Sequence, residues 1–186
     1  MRALLLVTLI TLVPPQVDQY PKDIIFVVDT SSSMDGDELA DAMEAFMMFA
    51  GQSTDEMRIK VIAFQIGWAY WKMEWSPLPD AKVLEEARQW MISTNASRTF
   101  GNGTAPFGAL SAALSEPGDD MTVVLISDGW FSLSDFQYEF LKARSSRKVL
   151  GAVLVGAKPP IQDPMQRMGR EGRGGCFRVF SEPRGD

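Results

Sequence analysis

Histidine is absent from this 186-residue chain, and a broad set of chemistries is absent with it. General acid/base catalysis by imidazole, Ser-His and Cys-His nucleophile pairs, and zinc sites built on imidazole are all excluded. Cysteine is nearly absent too: Cys176 is the single thiol, so no disulfide can close within the chain. Its apolar neighbours mark it as a buried strand residue rather than a reactive one. Basic residues are outnumbered, 18 Lys and Arg against 24 Asp and Glu, for a formal charge of −6. With no dense basic stripe to follow a phosphate backbone, nucleic acid is not an expected partner. The nearly uninterrupted apolar run Ala3 to Val13 is too short to span a bilayer comfortably as a helix.

That run does have the length of a signal-peptide hydrophobic region. It follows Arg2, is closed by Pro14-Pro15, and predicts export. No Ala-x-Ala-type cleavage site follows it, so cleavage, retention as an uncut anchor and packing as an N-terminal arm all stay open. Contact with a membrane is expected only through the uncut segment. Residues 1–15 are therefore read as signal peptide or N-terminal anchor, 16–22 as a linker, 23–181 as one domain and 182–186 as a tail. The composition suits one full core: 46% of residues are hydrophobic, with 11 Phe and 5 Trp, and 23% are charged.

From Asp23 onward, apolar runs of strand length alternate with stretches of helical period, the pattern of a parallel sheet covered on both faces. Ile24 to Val28 predicts a first strand. Leu39, Met43, Phe46, Met47 and Ala50 recur at three- and four-residue intervals and predict an amphipathic helix from about Asp35 to Gln52, its methionines filling core. Arg58 to Gln65 reads as a second strand. Ile66-Gly67 turns it back into a third, antiparallel strand from Trp68 to Trp75, with Ala69, Trp71, Met73 and Trp75 on one face and Trp68, Tyr70, Lys72 and Glu74 on the other. Asp80 to Met91 is a helix with one buried side, Ser93 to Pro106 a polar loop, and Phe107 to Leu114 a small-residue helix. Met121 to Ser127 is a strongly apolar strand. Ser134 caps a helix through about Ala143, Lys148 to Val155 is a strand, and a short helix near Asp163 to Met168 precedes a last strand, Cys176 to Phe180.

Polar residues gather where the strands end. Asp29, Ser31 and Ser33 form an oxygen-rich Asp-x-Ser-x-Ser loop after the first strand, and Asp128-Gly129 repeats the device of a carboxylate at a strand's carboxyl edge. Thr104 stands in a loop with Gly103. Ligands of open α/β sheets bind beyond the carboxyl ends of the strands, so position and chemistry agree. Hydroxyls with two nearby carboxylates suit Mg²⁺, with Mn²⁺ as an alternative, better than a thiolate or imidazole set would, and the same logic disfavours zinc. A plainer reading stands beside this one: the Ser-rich loop caps the following helix through Ser33 or Asp35, and capping and coordination can coexist. Asp128 before Gly is also a common turn dipeptide.

Asp29-Thr30-Ser31-Ser32-Ser33, Thr104 and Asp128-Gly129 together resemble the von Willebrand factor type A domain and its metal-ion-dependent adhesion site (MIDAS). The resemblance covers Asp23 to Phe180. It implies that Ser31, Ser33 and Thr104 offer hydroxyl oxygens directly to the metal, while Asp29 and Asp128 bind directly or through water. It implies a doubly wound, mostly parallel six-stranded α/β sheet, ordered 3-2-1-4-5-6, with one antiparallel edge strand and helices on both faces. In that order the first and fourth strands are neighbours, and Asp29 and Asp128 flank the switch point between them. The function so implied is an exported, non-enzymatic module whose metal engages an acidic residue, Asp or Glu, of a protein partner.

Two other classes compete. A metal-dependent phosphohydrolase of the haloacid dehalogenase type also sets an aspartate after its first strand, but it needs a second one two residues on, where this chain has Ser31, too weakly acidic for that task. An intracellular scaffold or chaperone-complex subunit is the third possibility. Arg184-Gly185-Asp186 spells an integrin-recognition tripeptide, a match that arises easily by chance. Asn95-Ala96-Ser97 and Asn102-Gly103-Thr104 are formal glycosylation acceptors.

Overall fold

In the computed structural model the described residues are 22–52, 57–156 and 163–179. The N-terminal segment 1–15 and the tail with Arg184-Gly185-Asp186 lie outside them. Five strands run parallel: β1 (Asp23–Asp29), β2 (Arg58–Phe64), β5 (Met121–Ser127), β6 (Val149–Val155) and β7 (Arg173–Val179). Two short ones, β3 (Trp68–Tyr70) and β4 (Ser76–Pro77), pair antiparallel with β2. The order is β3-β2-β1-β5-β6-β7, with β4 beside β2 off that path. With β4 set aside, this is the doubly wound order expected.

The central strands are apolar on both faces because both faces are covered. Ile24, Phe26 and Val28 pack with Ala42, Met43 and Phe46 of α1 (Asp37–Gly51) and with Leu84, Ala87 and Met91 of α2 (Ala81–Ser97). Ile25 and Val27 point the other way, toward Leu110 and Leu114 of α3 (Pro106–Ser115), Leu141 of α4 (Asp135–Arg144), and Met165 and Met168 of α5 (Asp163–Glu171). Asp80 caps α2 by accepting from Lys82 N and Val83 N, at 2.8 and 3.2 Å. Ser134 and Gln137 close a capping box on α4.

Four boundaries move. The expected third strand stops at Tyr70 instead of Trp75. Beyond it the chain leaves the ladder so that Trp75 and Tyr70 can close over Lys60, with ring centroids 5.0 and 5.4 Å from Nζ. Trp75 therefore shares the α3 face with Tyr70, and Trp71 the other, against the expected alternation. Helix α2 runs six residues beyond Met91, to Ser97, and the loop after it shrinks accordingly. The last strand begins at Arg173 rather than Cys176, and Cys176 is partly rather than fully buried. A turn of 3₁₀ helix, Ser32–Met34, comes between β1 and α1, which starts at Asp37 rather than near Asp35.

Candidate metal centre

Asp29 ends β1, the strand whose neighbours are β2 and β5, and it is fully buried. Thr30 extends the pairing by one residue: its N–H and its hydroxyl both donate to Phe64 O, at 2.9 and 3.1 Å. The chain then turns back on Asp29, whose Oδ1 accepts from Ser31 N at 2.9 Å, and enters the 3₁₀ turn through Met34 N to Ser31 O at 3.1 Å. This fold-back places three hydroxyls in a row. Thr104 Oγ1 donates to Ser31 Oγ at 2.9 Å, and Ser31 Oγ lies 3.1 Å from Ser33 Oγ.

Asp29 Oδ2 accepts a 2.7 Å bond from Ser127 Oγ, the last residue of β5, and Ser127 Oγ in turn accepts from Gly129 N at 3.1 Å. Ser127 thus ties the carboxylate of β1 to the turn that carries Asp128. Burial pushes the Asp29 carboxyl up to about 6, with the bonds from Ser127 and Ser31 pulling down and the negative charge of Asp128 adding to the rise. Among the described residues no ion pair neutralises it. Asp128 is partly buried, and its Oδ1 accepts from Trp130 N at 3.0 Å, the turn bond that its position before Gly129 suggests. Hydrogen bonds therefore join Asp29, Ser31, Ser33 and Thr104 of the five predicted residues, and Asp128 reaches the group by its charge and through the Ser127–Gly129 turn.

Helix capping does not account for the serines, because neither the 3₁₀ turn nor α1 has a side-chain cap. Asp35 pairs instead with Arg98 at the end of α2.

A second layer of polar side chains holds the loop from beneath, and sequence reasoning missed it. Gln65, fully buried, donates from Nε2 to Thr30 O at 2.8 Å and Thr94 O at 3.1 Å, and its Oε1 accepts from Phe100 N at 2.8 Å. Asn95 donates from Nδ2 to Thr30 O and Ser31 O, at 3.2 and 3.1 Å. A buried amide so engaged is not a glycan acceptor, which removes Asn95 from the formal acceptor sites. The loop carrying Thr104 is bound to the same frame by Ala105 N to Gln65 O at 2.8 Å and Ser32 Oγ to Asn102 O at 3.3 Å. The signal for Gln65 was present: it follows an apolar strand as directly as Asp29 does.

Among the described residues no three Asp, Glu, Cys or His side chains cluster as a metal cage. What converges is different in kind: neutral hydroxyl oxygens beside one buried carboxylate that carries an unopposed negative charge. Hard oxygen donors of that sort fit a small divalent cation, whose charge would also relieve the desolvated Asp29.

The sequence matches no protein-family model and no curated protein. Solved structures do match. BatB from Bacteroides thetaiotaomicron is 17% identical at a TM-score of 0.67, covering 86% of this chain and 91% of that one. A von Willebrand factor type A protein from Catenulispora acidiphila is 16% identical at a TM-score of 0.61, covering 87% of this chain and 38% of that one. The fold is that of a von Willebrand factor type A domain. Proximal thread matrix protein 1 from the mussel byssus, in a structure with zinc in its MIDAS motif, is also similar, at 17% identity and a TM-score of 0.57 over 86% of this chain and 43% of that one. Within this von Willebrand type A fold, the hydroxyl row lies at the carboxyl ends of β1 and β5, at the switch point.

Proposed function

We propose that this chain is an exported, non-catalytic binding module that holds Mg²⁺ or Mn²⁺ at Asp29, Ser31, Ser33, Thr104 and Asp128 and uses it to engage an Asp or Glu of a protein partner. The observation that carries the reading is the run of hydroxyls, Thr104 to Ser31 to Ser33, set against a buried Asp29 that no cationic side chain among the described residues neutralises. Three of the five donors are neutral hydroxyls, so a cation that meets the carboxylates through water keeps positive charge with which to attract a carboxylate from outside. The zinc in the byssus protein's site supports a divalent cation in general, and oxygen-only donors favour the harder Mg²⁺ or Mn²⁺ here. Ser127, Gln65 and Asn95 do the positioning: the first orients Asp29, and the other two keep the backbone at Thr30 and Ser31 from moving when a ligand pulls on it.

A phosphohydrolase reading finds no support at Ser31, whose hydroxyl is engaged with Ser33 and Thr104 and whose amide holds Asp29. Export rests on the apolar run Ala3 to Val13. Among the described residues no helix is long and apolar enough to cross a membrane.

Calorimetric titration of Mg²⁺ and Mn²⁺ tests the site. The intact chain should bind one cation saturably, and Asp29→Ala and Thr104→Ala should each weaken binding at least about tenfold. A folded chain that binds neither ion, or one whose affinity survives Asp29→Ala, would sink the reading.

A further inference from the structure

Among the described residues, seven large apolar side chains are exposed; one, Trp130, stands on the turn that carries Asp128, and two, Ile66 and Trp68, pack against the Thr104 loop and the first turn of α3. Ile66, 62% exposed, is in the turn between β2 and β3. Trp68, 39% exposed, opens β3, and Trp130, 50% exposed, comes two residues after Asp128. Isolated exposed apolar residues need no explanation, but Ile66 and Trp68 are packed in place and Trp130 adjoins the Asp128 turn. Ile66 lies against the loop of Thr104 so closely that a Cβ at Gly103 would come within 2.9 Å of its Cγ1. The indole of Trp68 lies over the first turn of α3, where a Cβ at Gly108 would stand 2.7 Å from Nε1. Trp68 also meets Tyr70 edge to face at 5.9 Å, and the backbone of Trp130 is tied to the candidate centre by its amide N–H to Asp128 Oδ1.

The topology sets these residues on either side of the centre. Strand β1, which ends in Asp29, lies between β2 and β5. Ile66 and Trp68 follow β2, and Trp130 follows β5, so apolar surface stands on both sides of a polar middle. A contact between a cation and a carboxylate is weak while water competes for it, and it strengthens when apolar surface shuts the water out. Tryptophan is the residue most often found to carry binding energy in that way.

We propose, building on the metal-centred reading above, that Ile66, Trp68 and Trp130 form an apolar collar that selects partner segments carrying a large apolar side chain next to the acidic residue. The acidic residue goes to the centre, and its neighbours cover Ile66 and Trp68 on one side and Trp130 on the other. A partner with the acid among small polar residues leaves the collar wet and binds weakly.

Two dye-labelled peptides, Gly-Phe-Asp-Phe-Gly and Gly-Ser-Asp-Ser-Gly, test this on the intact chain in Mg²⁺ and in EDTA, with Mg²⁺ affinity measured on the same samples. The Phe peptide should bind about tenfold more tightly than the Ser peptide in Mg²⁺, and neither should bind in EDTA. Trp130→Ser and Ile66→Ser should bring the ratio toward one, while Met73→Ser, at a site 65% exposed and outside these loops, should leave it unchanged. Equal Mg²⁺-dependent binding of the two peptides overturns the collar and leaves the metal-centred reading standing. Failure of both peptides to bind in Mg²⁺ overturns that reading and the collar with it. A preference for Phe that persists in EDTA, or a ratio that falls only together with Mg²⁺ affinity, overturns the collar.

Discussion

Asp29 and Glu116 are both carboxylates drawn into the body of the domain, and they are treated in opposite ways. Glu116 follows the C-terminus of α3, and both of its oxygens are met: Oε2 by Lys60 Nζ at 2.8 Å and Oε1 by Tyr70 OH at 2.7 Å. Lys60 is itself only 6% exposed and lies under the rings of Tyr70 and Trp75. Lys148 bonds the carbonyls of Leu114 and Glu116, which finishes that end of α3. Asp29, whose neighbour Ser31 bonds Thr104 just before α3, receives a hydroxyl and an amide and, among the described residues, no cationic side chain. Charge is therefore balanced where the fold needs only to be held and left unbalanced at the switch point of the sheet. A fold can stabilise a buried carboxylate when it supplies the partner itself, and a site that withholds the partner keeps the capacity to take one from solution.

Breaking the balanced end gives the largest effect expected. Lys60→Met leaves Glu116 and Tyr70 without their cation in a largely buried place, and removal of one partner from such a pair costs about 3–5 kcal/mol. Urea unfolding should show that loss as a lower midpoint with an unchanged slope. Pairing it with Glu116→Met should recover part of it, because the uncompensated charge is then gone. A loss below about 1 kcal/mol would mean that water already serves Glu116, and the contrast with Asp29 would collapse.

How much of this contrast was legible in the sequence differs between the two ends. The five candidate residues show themselves because each follows an apolar strand or stands in a Gly-bearing loop, where polar residues have no packing role. Strand β5 matches its apolar run, Met121 to Ser127, residue for residue. The balanced end was hidden. Lys60 sits inside an apolar strand pattern, and its partners, at positions 70, 75 and 116, are joined to it only by tertiary structure. The same cause cut the third strand short, since alternation in Trp68 to Trp75 does not reveal that two rings are needed over a lysine. Thr94 and Asn95 were lost from α2 because their polarity ends the amphipathic pattern, yet Asn95 bonds the loop at Thr30 and Ser31, while Thr94 turns its hydroxyl back to Trp90 O and lends its carbonyl to Gln65.

The unbalanced end responds with the opposite sign. Asp29→Asn removes the desolvated charge and keeps a side chain of the same shape, so the metal-free protein should be at least as stable as the original. The original should gain about 2.7 kcal/mol when Mg²⁺ is at a hundred times its dissociation constant, and Asp29→Asn should lose that gain. Thermal scans with and without Mg²⁺ measure both quantities. A metal-free Asp29→Asn protein clearly less stable than the original would mean that Asp29 is a structural residue like Glu116.

Ser127→Ala produces the smallest change and separates the two carboxylates most finely. Its hydroxyl stands in for a cation at Asp29 Oδ2 and also accepts from Gly129 N, so one atom links the charge of β1 to the turn of Asp128. Removing it should cost about 1.5 kcal/mol in metal-free protein, the low end of the range for a bond to a charged group. It should also weaken Mg²⁺ about tenfold, because a ligand no longer oriented must be ordered at the moment of binding. If Ser127 served only to quiet a buried charge, as Lys60 does for Glu116, the cation would replace it and Mg²⁺ affinity would rise on its removal. The sign of that change decides whether Ser127 belongs to the holding of the fold or to the readiness of the site.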